Sequence, residues 1–269
     1  MTKTSLLVLL AVATSVSFVA WRVRATGNQP VSDRAVVGDP SISYPGSCES
    51  IVGTAGETIL GPGALPNSTL TVLVLGNSTT VNEPQLLGTY TIPTSRKAIE
   101  GRHAIERRQS ALLTDIWRKC NSFRPTLISP IFLGVKQGIA ALRAGGCKED
   151  SRCELRVASD LNENVEIGIK KRISDPDDKH ALPAALNNRG IDVRFCGYAT
   201  TAGRLVDPSG REVSKVGPRD ANSEDRLLRV WAGLFTDPQR VKFEPYCPRP
   251  STPGLYAGTG SPANDRDLR

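Results

Sequence analysis

Histidine and aromatic side chains are scarce in these 269 residues. There are two His, one Met and 5% Phe, Trp and Tyr. With only His103 and His180 available, a Ser-His-Asp or Cys-His pair has few candidates for its base, and neither lies beside a nucleophile in sequence. No Gly-x-Ser-x-Gly elbow and no phosphate-cradling P-loop occurs, and none of the six cysteines has Cys-x-x-Cys spacing. Asp175, Asp177 and Asp178 lack the Gly and Glu of an EF-hand loop and read as a solvated acidic turn. Basic pairs such as Arg107-Arg108 and the run Lys170-Lys171-Arg172 are not interleaved with aromatics, which argues against single-stranded nucleic acid as a partner. No internal repeat at a solenoid or propeller period is visible.

The chain is long enough for one sizeable core with tails. Its formal net charge is +7, of which Lys3, Arg22 and Arg24 contribute three charges around an apolar stretch from Leu6 to Trp21. That stretch reads as a signal peptide or as an uncleaved membrane anchor over residues 1–25. Either reading places the body of the protein outside the cytoplasm, in the periplasm or cell envelope. The cysteine count agrees, because six thiols would pair in an oxidising compartment. Fifteen connectivities are open. Cys147 and Cys153 flank a short polar loop and form the easiest local pair, and Cys196 and Cys247 each end a strand-like run, as neighbours at one sheet rim would.

Hydrophobic patterning gives the fold class. Residues 26–66 are rich in Gly, Pro and Ser and read as a linker or irregular N-terminal segment. Leu70 to Leu75 is a nearly continuous apolar run, suited to a strand covered on both faces. A second strand is expected over Leu86 to Ile92. Ile105, Leu112, Leu113, Ile116, Trp117 and Cys120 form one helical stripe. Ser129 and Pro130 suit a helix N-cap and first turn, followed by Phe132, Val135, Ile139 and Leu142, with Gly145-Gly146 as the stop. Cys153 to Ala158 and Ile191 to Phe195 alternate as strands. A helix capped by Asn222 or Ser223 carries Leu227, Leu228, Trp231, Leu234 and Phe235, and Val241 and Phe243 mark the last strand. Strands alternating with amphipathic helices predict an α/β fold over 67–247, a largely parallel sheet flanked by helices, with 248–269 as a disordered tail.

Three segments bring oxygen-bearing side chains to the carboxyl ends of these elements, where open α/β sheets bind ligands. They are Gly76-Asn77-Ser78-Thr79-Thr80 after the first long strand, Ser129 at a helix start, and Ser159-Asp160 after the next strand. This order resembles the von Willebrand factor type A domain, whose metal site reads Asp-x-Ser-x-Ser, then Thr, then Asp. The resemblance implies a Rossmann-like three-layer sandwich and a metal set of Ser78, Thr80, Ser129 and Asp160. It also implies a partner-binding rim of Asn77, Ser78, Thr80, Ser129, Asp160 and Glu163. Gly76 stands where the pattern has its first Asp, so the expected Mg²⁺ site is degenerate, with Glu163 as a substitute carboxylate. The function implied is a non-catalytic binding module engaging a protein or envelope component. Two other functions are weighed beside it: an exported hydrolase or transferase using Ser78 or Asp160, and an architectural envelope protein with an inert rim.

Overall fold

The computed structural model describes residues 33–41, 44, 47–60, 68–76, 83–92, 102–123, 129–151, 153–163, 165–199, 205–206, 212–214 and 220–250, all within one unit that begins at Ser32. Strand β1 (Arg34–Gly38) opens it and is followed by helix α1 (Ser47–Leu60), β2 (Thr69–Val74) and β3 (Gln85–Thr91). Helices α2 (Arg102–Ser122) and α3 (Ile131–Ala144) lead to β4 (Cys153–Ala158), α4 (Ile167–Ser174) and β5 (Ile191–Cys196). A two-stranded ribbon, β6 (Leu205–Val206) with β7 (Glu212–Ser214), precedes α5 (Ala221–Ala232) and β8 (Val241–Glu244). The main sheet has six strands in the order β3-β2-β1-β4-β5-β8, and only β3 runs antiparallel to its neighbour. The α/β layered sheet expected from the hydrophobic pattern is therefore the fold.

The domain starts earlier than its composition suggests. Residues 34–38 and 47–60 lie in the segment read as a linker, yet β1 is a central strand, paired in parallel with both β2 and β4. Every residue of β1 is buried. Its run is short because it ends on Gly38, whose missing side chain leaves room for Ile51 of α1.

Two helical layers cover the sheet. On one face, Ile51, Val52, Ala55 and Ile59 of α1 meet Leu112, Leu113, Ile116 and Trp117 of α2 over Val36, Leu70, Val72 and Val74. Cys48–Cys120 ties these two helices together. Closing a loop of 72 residues this way stabilises the fold by about 4 kcal/mol on a chain-entropy account. On the opposite face α3 lies close to the strands through Gly134 and Gly138, four residues apart. A Cβ at Gly134 would fall 2.3 Å from a Leu75 methyl, and one at Gly138 would fall 2.6 Å from a Leu155 methyl. Trp231 of α5, Phe235 and Phe243 pack on Phe195, with ring centroids 5.4, 6.0 and 5.2 Å away. Together they bury the far end of the sheet.

The remaining disulfides join Cys147 to Cys153 and Cys196 to Cys247, the two pairings the sequence pointed to. No cysteine is left free. Three disulfides fit an oxidising, exported environment. Among the described residues no helix is long and apolar enough to cross a membrane. The apolar stretch at 6–21 and the tail from 251 lie outside the described residues.

Candidate functional site

The carboxyl ends of β1 and β4 lie side by side, because Gly38 pairs with Ala158 in the parallel register. Each strand then delivers an aspartate. Asp39 follows β1 directly and its amide donates to the Ala158 carbonyl at 3.0 Å, while Asp160 follows β4 by two residues. Asp39 is fully buried. Its Oδ1 accepts from the Ser41 amide at 3.0 Å and from the Ser129 hydroxyl at 3.1 Å, and its Oδ2 accepts from the Ser159 hydroxyl at 2.8 Å. Burial, and after it the Asp160 carboxylate, raise the Asp39 carboxyl from 3.8 to about 7, against the pull of these hydrogen bonds. Asp160 is itself buried and accepts from the amide and side chain of Asn162 at 3.0 and 2.8 Å.

Asp39 corrects the expectation that Gly76 occupies the place of the first aspartate. The chain after β1 reads Asp39-Pro40-Ser41-Ile42-Ser43, the Asp-x-Ser-x-Ser order that the resemblance calls for, one strand earlier than expected. Gly76 lies two residues beyond β2 next door, where the Leu75 amide donates to the Gly38 carbonyl at 2.8 Å. The short strand before Asp39 hid the motif, since Arg34 and Gly38 leave only Ala35, Val36 and Val37 as its apolar signal. The motif itself, one glycine after the pair Val36-Val37, is the signal that would have found it.

Of the residues expected at the site, Ser129 and Asp160 do converge, and Asp39 joins them. Ser129 is not the helix cap it resembled. Pro130 holds the N-cap position of α3 with no side-chain cap bond, and the Ser129 hydroxyl turns to Asp39 instead. Glu163, the expected substitute carboxylate, is engaged by backbone amides. Both its oxygens accept backbone amides, from Phe132 at 2.7 Å, Val165 at 2.8 Å and Glu166 at 3.1 Å. Burial raises its carboxyl above the ordinary range, opposed by those three amides. Asn77, Ser78, Thr80 and also Ser43 lie outside the described residues.

A tyrosine fixes the loop that carries Ser41. The Tyr44 amide donates to the Ser41 carbonyl at 3.1 Å, and the buried ring leaves no room for a side chain at Gly197, whose φ of 97° also favours glycine. Its hydroxyl donates to Cys247 Sγ at 3.1 Å, within the Cys196–Cys247 disulfide.

The donor set decides which metal would fit. Among the described residues no three His, Cys, Asp or Glu side chains gather, so a zinc-type imidazole and thiolate site is not what these residues build. Two carboxylates with serine hydroxyls are all-oxygen donors, which suit Mg²⁺ or Mn²⁺ with waters completing the octahedron. Two adjacent buried carboxylates are also costly as neighbouring anions, and a divalent cation between them would remove that cost. The residues present fit such an ion.

No protein-family model matches the chain, and no curated protein matches it. Among solved structures, the chain is similar to the conserved hypothetical protein BatB from Bacteroides thetaiotaomicron, with 11% identity over 79% of this chain and 89% of that one and a TM-score of 0.38.

Proposed function

We propose that this chain is an exported, non-catalytic binding module of von Willebrand factor type A character, which engages a protein or envelope partner through a divalent metal ion at the sheet rim. The observation that carries the reading is the meeting of Asp39, Ser129 and Asp160, with Ser41 beside them, under a complete Asp-x-Ser-x-Ser sequence. Asp39, Ser41, Ser129 and Asp160 would hold the ion. Bound there, Mg²⁺ supplies a Lewis-acidic position open to an oxygen ligand from the partner. Asp39 and Asp160 would contribute the negative charge, and the Ser129 hydroxyl, which donates to Asp39, would supply an oxygen beside them. Nothing in this arrangement calls for a bond to be made or broken. Membrane anchoring through residues 6–21 and residence in the periplasm belong to the same proposal.

The test is capture of envelope partners by the full chain in Mg²⁺ and in EDTA, with Asp39→Asn as control. Partners retained in Mg²⁺ and lost both in EDTA and with Asp39→Asn are expected. Identical partners in all three conditions would move binding away from the rim.

A further inference from the structure

Glu163 is 4% exposed and uses both of its oxygens. Buried carboxylates are rare unless something needs them. Here the need is visible at two helix starts. Helix α3 begins at Ile131, two residues after Asp39's partner Ser129, and its N-cap Pro130 makes no side-chain cap bond. Helix α4 begins after Glu166, which also makes no side-chain cap bond. The first amides of a helix have no intrahelical acceptor. Glu163 Oε2 takes the Phe132 amide of α3, and Oε1 takes the Val165 and Glu166 amides that lead into α4. One carboxylate therefore serves both helix starts.

Each start carries a candidate metal donor nearby. Ser129 lies three residues before Phe132, and Asp160 lies three residues before Glu163. The segment between Asp160 and Glu163 is also held from its other side. Leu161 adopts φ 61°, a left-handed conformation that is costly for leucine, and its carbonyl accepts from Trp231 Nε1 at 3.3 Å. We infer that Glu163 is the positioning residue of the rim, joining the Ser129 loop to the Asp160 loop so that the two donors hold one fixed separation. This rests on the metal-binding reading above for its consequence, but the joining of the two loops stands apart from it.

The experiment uses the full chain with Glu163→Gln and Glu163→Ala. Gln is isosteric, keeps one acceptor and turns an amide N–H toward backbone donors, so it releases one helix start; Ala releases both. Backbone hydrogen exchange in EDTA is expected to quicken selectively in 130–134 and 160–168 for Glu163→Ala, and in one of the two for Glu163→Gln. The Mn²⁺ dissociation constant is expected to rise about tenfold or more, as for other residues that orient metal ligands. Uniformly faster exchange, or a dissociation constant within about twofold of the unsubstituted chain, would overturn the positioning role and leave a helix cap only. If the unsubstituted chain binds no Mn²⁺, the metal reading fails by itself. The exchange pattern then still decides whether Glu163 joins the loops: selective loosening of both segments upholds it and its absence ends it.

Discussion

Strands β1 and β4 carry buried charge toward both of their ends, and the two ends treat it oppositely. Toward the amino end, Arg34 of β1 meets Glu154 of β4 at 2.7 Å. Arg156 and Arg194 approach the same glutamate at 3.1 and 2.9 Å, and Arg156 also pairs with Glu57 of α1. Opposite charges alternate there, although burial still lowers the Arg34 guanidinium. At the carboxyl end the same two strands bring Asp39 beside Asp160, and hydroxyls and amides surround Asp39. The first cluster is complete within the fold and serves stability. The second is a concentration of like charge, which costs stability in the absence of a counter-ion.

Removing the central acid from the first cluster should have the largest effect. Glu154→Ala takes the paired carboxylate from buried Arg34 and leaves Arg156 with Glu57 and Arg194 with Glu244, and about 3 kcal/mol of stability should be lost in urea unfolding. The same kind of change at the other end should have the opposite sign. Asp39→Asn removes a desolvated like charge, so the metal-free protein should gain about 1–3 kcal/mol at pH 8 while losing divalent-ion binding. If both substitutions destabilised alike, the contrast between the two ends would collapse.

The pH dependence sharpens the same point. Asp39 holds its proton more tightly in the folded chain, with its carboxyl raised from 3.8 to about 7. Its contribution to stability is therefore complete below about pH 4 and is lost as pH rises toward about 7. Metal-free protein should show this decline in thermal melts, and Asp39→Asn should remove it. Saturating Mn²⁺ should also remove it, because the ion favours the ionised carboxylate.

Much of this fold was legible because its elements are strongly periodic. Strands β2, β4 and β5 and helices α2, α3 and α5 all carry long apolar stripes with turn residues at their ends. What escaped notice is where the pattern is weak. Helix α1 does carry Cys48, Ile51, Val52, Ala55 and Ile59 on one stripe, but Gly53, Thr54, Gly56 and Thr58 between them are poor helix formers. Tertiary packing under Cys48–Cys120 overrides that propensity. Helix α4 is eight residues long, too short for a periodic signal. At α5 the cap is Asp220, accepting from the Ser223 amide at 2.8 Å, rather than Asn222 or Ser223. In the site, Ser129 and Asp160 were readable from their places after predicted elements. Asp39 was not, because it follows a strand that composition had assigned to a linker. Ser129 was found with the wrong role, since sequence alone cannot tell a hydroxyl that caps its own helix from one turned to a neighbouring strand.

The smallest expected effect tests that last distinction. Ser129→Ala leaves the Ser41 amide on Asp39 Oδ1 and the Glu163 cap on α3, so metal-free stability should change by less than about 1 kcal/mol. Mn²⁺ affinity should nevertheless fall about tenfold, by calorimetric titration. A large loss of stability without a loss of affinity would return Ser129 to the role of a helix cap.

The most direct measurement is a calorimetric titration of Mn²⁺ into the full chain beside its Asp39→Asn and Asp160→Asn variants. Saturable one-site binding that either substitution abolishes is the predicted result. Absence of binding at millimolar metal, or binding that survives both substitutions, would contradict a metal site built from Asp39 and Asp160.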